Sequence, residues 1–206
     1  MIDTPLSLYI HFPWCARKCP YCDFNSHEVW GDIPETRYVK TLLRDLEFEL
    51  ESDPRKTLRS IFMGGGTPSL FSPEAINNLF AGIKDRFDIS EAEITLEANP
   101  GTFDQGHFDG YSEAGVNRLS IGAQSFSADA LTQLGRIHSP DEIELAYYGA
   151  RQAGFNRINI DLMHGLPGQT LGNALNDLKR AIELEPEHIS WYCLLYTSDA
   201  ADDLLC

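Results

Sequence analysis

The sequence predicts an α/β fold, a partial (β/α)6 TIM-like barrel that is truncated after the start of its sixth strand. The first observation is that strand-like segments with period-two patterning alternate with helix-like segments, which is typical of parallel βα units. The second is that strand after strand has one polar face. A doubly wound sheet has helices on both faces and favours continuously apolar strands. The polar face therefore favours a barrel with a wet interior, whose functional end is the C-terminal end of the strands.

Polar and apolar side chains alternate clearly along the strands. Tyr9 and His11 share one face of the first, and Glu97, Gln124 and Asp161 lie on the polar faces of the third, fourth and fifth. The other faces are built from leucine, isoleucine and alanine, and we expect helices to cover them. The six predicted strands are 6–12, 60–63, 93–99, 117–124, 157–163 and 188–192.

Helices are predicted in the gaps, because apolar residues there recur at helical spacing. Ser72 before a proline is typical of a helix start, and Gly115 is typical of a residue just past a helix end. We expect Leu175, Leu178 and Ile182 to face inward in the last helix. The predicted helices are 35–51 (ended by Pro54), 72–86, 104–114, 139–153 with a capping-box start, and 171–184.

Composition narrows the class of protein. A chain of 206 residues with 43% apolar residues is long enough for one domain with a substantial core. Its formal net charge of -15 argues against a nucleic-acid partner, since phosphate binding needs a basic surface. There is no apolar run of about 18 residues for a membrane span and no evident signal peptide. We therefore expect a cytoplasmic protein, in which clustered thiols indicate metal binding or catalysis.

The C-terminal stretch CLLYTSDAADDLLC (193–206) differs in style from the rest of the chain. Its first letters, CLLYTS, back-translate to TGTCTCTTATACACATCT, which resembles a transposase end sequence used in sequencing libraries. We interpret 193–206 as a non-native adapter tail and 1–192 as an incomplete core domain whose C-terminal domain is missing. The alternative is a genuine acidic tail.

Three cysteines lie close together after the first strand: Cys15, Cys19 and Cys22. Thiolates bind soft metal ions and iron–sulfur clusters, and the short spacing lets one loop surround one cluster. A zinc site would need a fourth ligand, such as His11 or His27. A redox disulfide would usually show a simple CxxC. Three ligands on a four-iron cluster would leave one iron open to a small molecule.

A glycine-rich motif, Gly64-Gly65-Gly66-Thr67-Pro68, follows the second strand. Glycines remove side chains, so backbone groups can approach a ligand closely. A tight turn is the structural alternative. The position beside the cysteine loop favours ligand binding.

CxxxCxxC after a first barrel strand resembles the motif of the radical S-adenosylmethionine (radical SAM) family. The resemblance implies that the three cysteines hold a 4Fe-4S cluster, whose open iron chelates SAM for cleavage to a 5′-deoxyadenosyl radical. The motifs LYIHFPWC, CPYCDFNSH, GGGTPS, EANPGT, SIGAQSF, LGRIH and DLMHGLPGQT resemble the coproporphyrinogen III oxidase-like branch. Within it they look most like the HemW-type haem chaperones. The oxidases usually carry another cysteine where this chain has Phe24.

The resemblance also assigns roles to individual residues. The implied cluster ligands are Cys15, Cys19 and Cys22, and the implied SAM contacts are Tyr9, Tyr21, Gly65, Gly66, Thr67, Glu97, Gln124, Arg136 and Asp161. Structural alternatives remain, since the tyrosines are also ordinary packing residues and a buried carboxylate is often paired with a cation such as Arg118. His11 is either a catalytic candidate near the cluster or a hydrogen-bonded structural histidine. His138 and His164 receive no assignment.

The function implied by the resemblance is that of a haem chaperone. It would bind haem or a porphyrin and deliver haem to apo-haemoproteins, with SAM, the cluster and an electron donor present. One alternative is an enzyme, an oxygen-independent coproporphyrinogen III oxidase that decarboxylates two propionates by a radical route. A second alternative is a structural module that binds zinc through the same thiols.

Overall fold

The computed structural model describes residues 6–50 and 57–194. Its strands, in chain order, are β1 (Leu6–Phe12), β2 (Trp14–Cys15), β3 (His27–Glu28), β4 (Leu58–Gly65), β5 (Glu93–Ala98), β6 (Arg118–Gln124), β7 (Ile158–His164) and β8 (His188–Cys193). Six of them form one parallel sheet in the order β1-β4-β5-β6-β7-β8, and β2 pairs with β3 in a short ribbon. The sheet is open, since β1 and β8 are its edges. The predicted partial barrel is confirmed.

Helices connect the strands of the sheet: α1 (Glu35–Leu50), α2 (Pro73–Lys84), α3 (Gln105–Ala114), α4 (Ala128–Gln133), α5 (Pro140–Gln152) and α6 (Leu171–Glu183). The start signals are confirmed, because Ser72 accepts from the Ala75 amide and Ser139 forms a complete capping box with Glu142. Gly115 ends α3 in the left-handed region at φ 110°. Within the described ranges, no helix is both long enough and apolar enough to cross a bilayer.

The main core lies between the outer face of the sheet and the helices. Ile61, Leu96, Leu119, Ile121 and Ile160 are completely buried there. Burying one such side chain stabilises a fold by about 1.5–3 kcal/mol. The polar residues predicted for the opposite face do lie there, on the concave side of the sheet. Most apolar contacts that fix the helices thus lie opposite the face that carries the polar groups, and a smaller buried cluster includes the cavity-lining Met163.

Several boundaries differ from the prediction. Strand β4 runs over Leu58–Gly65, beyond the predicted 60–63, and so takes in the first glycines of the motif. The β2–β3 ribbon and α4 were not predicted, because elements this short show too little periodicity. Residue 51 and Pro54, at the predicted end of the first helix, lie outside the described residues, as do 195–206 of the predicted tail. Strand β8 continues through Cys193.

The predicted inward face of α6 was wrong. Leu175 and Ile182 are 49% and 57% exposed, and Leu178 packs against the core only in part. The residues of α6 that face the sheet are Ala174, Asp177 and Ala181. The two alanines are small and let the helix approach the sheet closely, and the buried Asp177 carboxylate has hydrogen-bond partners.

Candidate metal centre

The cysteine loop is closed at its base by the β2–β3 ribbon. The amide of His27 donates to Pro13 O at 2.6 Å, and that of Val29 donates to Cys15 O at 2.9 Å. Inside the loop, Lys18 Nζ donates to the carbonyls of Phe24 (3.1 Å) and Ser26 (3.0 Å). These bonds hold the two ends of the loop together. The main-chain carbonyls involved accept hydrogen bonds from other residues of the same segment.

The three thiols Cys15, Cys19 and Cys22 line one cavity of about 400 Å³ at the C-terminal end of the sheet. All three are free, and Cys15 is the buried one. Burial raises the pKa of the Cys15 thiol, against hydrogen bonds with Ser26 and Thr67 that lower it. Within the described ranges, no three His, Cys, Asp or Glu side chains converge as a ready ligand set for a single metal ion.

The glycine motif fits closely against the exit of β1. The Gly66 amide donates to Phe12 O and that of Thr67 donates to Trp14 O, both at 2.6 Å. A Cβ on Gly66 would lie 2.5 Å from Trp14 O, so a side chain there would separate the two segments. The close contact brings the backbone of the motif to the wall of the cavity. The space that a Gly66 side chain would need is occupied by main-chain atoms of the protein itself.

Two carboxylates, Glu97 and Asp161, line the same cavity. Glu97 accepts from the Gly65 amide at 3.2 Å, whereas Asp161 accepts from Ser120 Oγ and Asn159 Nδ2, each at 2.8 Å. Burial and the nearby Asp161 charge raise the pKa of Glu97 to about 7. Burial raises the pKa of Asp161 as well, although its hydrogen bonds oppose this. Glu97 can therefore take up a proton near neutral pH, and both carboxylates offer acceptors to a cationic group.

Arg136 adds a buried guanidinium to the cavity lining. Arg136 Nη2 donates to Gly122 O at 2.9 Å, and Nη1 lies 3.5 Å from Cys19 Sγ. Its Nε is the one buried side-chain polar atom without a hydrogen-bond partner among the residues described. Buried donors of this kind are normally satisfied, so the free N–H points to a ligand with an acceptor. Tyr21 lies beside Arg136, and burial raises the pKa of its hydroxyl.

Tyr9 and His11 are not among the residues that line the cavity. Tyr9 is 57% exposed and stacks on Phe62 with 6.3 Å between ring centroids. His11 Nε2 lies 2.7 Å from Asn25 O, and its Nδ1 lies 3.0 Å from Tyr9 Oη. Because a backbone carbonyl only accepts, Nε2 carries the hydrogen and Tyr9 donates to Nδ1. The contacts of His11 are those of a hydrogen-bonded structural residue.

The two residues considered as alternative partners are placed differently. Arg118 donates to Thr95 Oγ1 at 3.2 Å, and its charge lowers the pKa of Asp161, against the effect of burial. His27 is exposed on the β2–β3 ribbon, and it does not line the cavity.

The structure brings most of the predicted site residues together. The cavity is lined by the three cysteines and by Tyr21, Gly65, Gly66, Thr67, Glu97, Gln124, Arg136 and Asp161. The lining also includes Asn99, Ser120, Met163 and Tyr192, which were not among the predicted site residues. Tyr192 donates a short hydrogen bond to Gln124 Oε1. The signal for Ser120 and Tyr192 was available, because both lie on the inward phase of period-two strands.

An open parallel α/β barrel with a three-cysteine loop at the C-terminal end of its sheet is the arrangement expected of radical SAM proteins. The sequence model of the radical SAM superfamily matches residues 9–181. The chain belongs to this superfamily, which implies a 4Fe-4S cluster and SAM. The resemblance drawn from the motifs is confirmed.

Curated relatives include "Heme chaperone HemW" of Haemophilus influenzae, 55% identical over 195 residues, with 92% of this chain and 51% of the relative covered. The protein of the same name from Escherichia coli is 53% identical over 191 residues, covering 92% of this chain and 50% of the relative. The chain therefore spans about half the length of the curated relatives it matches.

Two solved structures show the same fold. Coproporphyrinogen III oxidase (HemN) from Escherichia coli has a TM-score of 0.84 and 30% identity, with 96% of this chain and 46% of that chain covered. The radical SAM methyltransferase TsrM from Kitasatospora setae has a TM-score of 0.66 at 14% identity, covering 90% of this chain and 34% of that one. At that identity the TsrM match carries information on the fold alone.

Proposed function

We propose that the chain is the radical SAM half of a HemW-like haem chaperone, with a 4Fe-4S cluster on Cys15, Cys19 and Cys22 and with SAM in the adjoining cavity. The observation that carries the proposal is that the three thiols share one cavity with a carboxylate pair and the buried Arg136. Thiolates are the usual ligands of iron–sulfur clusters. A cytoplasmic setting, which keeps thiols reduced, belongs to the same proposal.

The cavity chemistry is complementary to SAM, which combines an amino group and a sulfonium with a carboxylate and ribose hydroxyls. Glu97 and Asp161 offer acceptors to cationic or hydroxyl groups, and the unpartnered Nε of Arg136 offers a donor to a carboxylate. When bound, cluster and SAM would supply reductive cleavage of SAM. The contribution of the chain is to orient SAM and to hold thiolates and carboxylates in a partly enclosed site.

The cluster is tested by anaerobic reconstitution with iron and sulfide, followed by iron analysis, absorption and EPR. We expect a 4Fe-4S signal that is lost in Cys15→Ala, Cys19→Ala and Cys22→Ala. Cys193→Ala is the matched control and should keep the signal, because Cys193 lies outside the cysteine loop. A colourless protein that holds only zinc would instead support the zinc module and reject the radical SAM proposal.

Haem handling is the finer part of the proposal, and the names of the relatives support it. The chaperone would take haem and pass it to apo-haemoproteins, and a separate electron donor would reduce the cluster. The test uses protein from the full gene recovered from the source DNA. We expect haem titration to saturate and labelled haem to appear in an apo-cytochrome.

An oxidase is the second candidate, favoured by the TM-score of 0.84 to coproporphyrinogen III oxidase. Phe24, at the position where the resemblance places a further oxidase cysteine, is 63% exposed and lines the cavity. A phenyl ring offers no thiol for metal or redox chemistry there. Anaerobic turnover of coproporphyrinogen III with release of carbon dioxide, in the absence of haem transfer, would favour the oxidase over the chaperone.

A further inference from the structure

Gln124, at the end of β6, has a backbone conformation that is unusual for its residue type. Its φ is 68°, in the left-handed region, and the Ser125 amide donates across it to Ala123 O at 2.9 Å. A positive φ bridged by a bond between residues i and i+2 is a γ-turn of the rare, strained kind. The β6–β7 register shifts at the same point. A strained turn persists only where surrounding contacts enforce it.

Asp177 of α6 holds the outgoing side of the turn. Its Oδ2 accepts from Ser125 Oγ at 2.7 Å, and its Oδ1 accepts from the Phe126 amide at 2.8 Å. Asp177 is 2% exposed and Ser125 is completely buried. Because these bonds are shielded from water, releasing them would leave a buried carboxylate and a buried amide without partners. The turn therefore cannot relax on this side without a large cost.

His138, in the loop before α5, holds the incoming side. Its Nε2 lies 3.0 Å from Ala123 O, the carbonyl that also accepts the γ-turn bond. The ring is buried, and its Nδ1 lies 3.2 Å from Asn99 Oδ1 at the end of β5. Because a backbone carbonyl only accepts, Nε2 donates to Ala123 O, and this bond joins the loop before α5 to the end of β6.

We propose that Asp177 and His138 are positioning residues that hold the strained turn from both sides and so direct the Gln124 amide into the SAM cavity. The cavity part of this inference rests on the proposed function, whereas the turn part does not. Neither residue lines the cavity, so any effect on SAM acts through Gln124. The Gln124 side chain, which reaches the cavity, also accepts a hydrogen bond from the Tyr192 hydroxyl, and this bond fixes the orientation of its amide.

The strain is tested by comparing Gln124→Gly with Gln124→Ala. Both remove the amide, and at ordinary positions glycine is the less stable of the two. At this turn we expect the order to reverse, with Gln124→Gly melting about 2–4 °C above Gln124→Ala. In the Asp177→Leu background the turn can relax, so the glycine advantage should disappear. An Ala variant as stable as the Gly variant in the otherwise unchanged protein would overturn the proposal.

Positioning is tested by equilibrium dialysis of SAM against cluster-loaded protein. Asp177→Leu and His138→Leu should each weaken SAM binding about tenfold, the scale seen when support behind a ligand is lost. Asp177→Asn keeps an acceptor for the Phe126 amide and offers Nδ2 as a donor to Ser125 Oγ, and His138→Gln keeps a donor to Ala123 O, so both should restore binding. Two pairs are used so that misfolding of one leucine variant leaves the other informative.

Asn117→Ala is the matched structural control. Asn117 connects the same strands, β5 and β6, at their opposite end, where it accepts from the Ile94 amide and donates to Ala92 O. We expect a lower melting temperature with unchanged SAM affinity. SAM affinity unchanged in both leucine variants, or weakened equally by Asn117→Ala, would overturn positioning. Wild-type protein that binds no SAM would reject the proposed function and leave the turn comparison valid.

Discussion

Replacing Gly65 with alanine should destabilise the chain through two separable effects. Gly65 has φ +111°, and an added Cβ would lie 2.4 Å from His11 Cε1. The left-handed backbone costs an L-residue about 1–2 kcal/mol. The His11 ring must also move, which breaks its contacts with Asn25 O and Tyr9, each worth about 0.5–1.5 kcal/mol. We expect a total loss of about 2–5 kcal/mol in the free energy of unfolding.

Gly115→Ala separates the two effects. Gly115 has φ +110°, almost the same value, yet nothing lies within 4 Å of the Cβ it would carry. It should therefore show the backbone cost alone, about 1–2 kcal/mol. Urea unfolding of the reduced, cluster-free chain, followed by circular dichroism, gives both free energies.

A double-mutant cycle with His11→Ala then isolates the steric contact. Once the ring is absent, Gly65→Ala should cost no more than Gly115→Ala. If Gly65→Ala and Gly115→Ala cost the same in the presence of His11, or if His11→Ala recovers nothing, the assignment of Gly65 to the His11 ring is wrong.

Three further predictions concern other regions. The pKa of Glu97, raised to about 7 from 4.5, means that its ionisation opposes folding. Its contribution to stability is complete below pH 4.5 and is lost as the pH rises to 7, so Glu97→Gln should flatten this slope in pH-dependent urea unfolding. Ser139→Ala should remove the capping box of α5 at a cost of about 1 kcal/mol, measured by the same method. Leu175→Gln should change stability by less than about 0.5 kcal/mol, whereas an inward leucine would cost several times more.

The sequence could predict the sheet and most of the cavity wall, because both depend on local periodicity. Side chains two residues apart share a strand face, so Glu97, Gln124 and Asp161 were expected on the concave side, and they line one cavity. The cysteine spacing likewise indicated a single loop around a shared site.

Features that depend on partners distant in sequence could not be predicted. The strain at Gln124 arises from Asp177, on a helix more than fifty residues further along the chain. The face of α6 was assigned wrongly for the same reason, since apolar spacing cannot anticipate a buried aspartate that receives hydrogen bonds from another element. Tyr9 lay on the expected strand face, but its packing on Phe62 placed it outside the cavity lining.

The separation between the two faces of the sheet has an evolutionary consequence. Most apolar side chains that hold the helices lie on the convex face, so substitutions among the polar residues of the concave face change binding chemistry and leave those core contacts in place. A new specificity is therefore accessible by a few exchanges at strand ends while the scaffold persists. The TM-score of 0.66 to TsrM at 14% identity shows that this fold is kept when most residues differ.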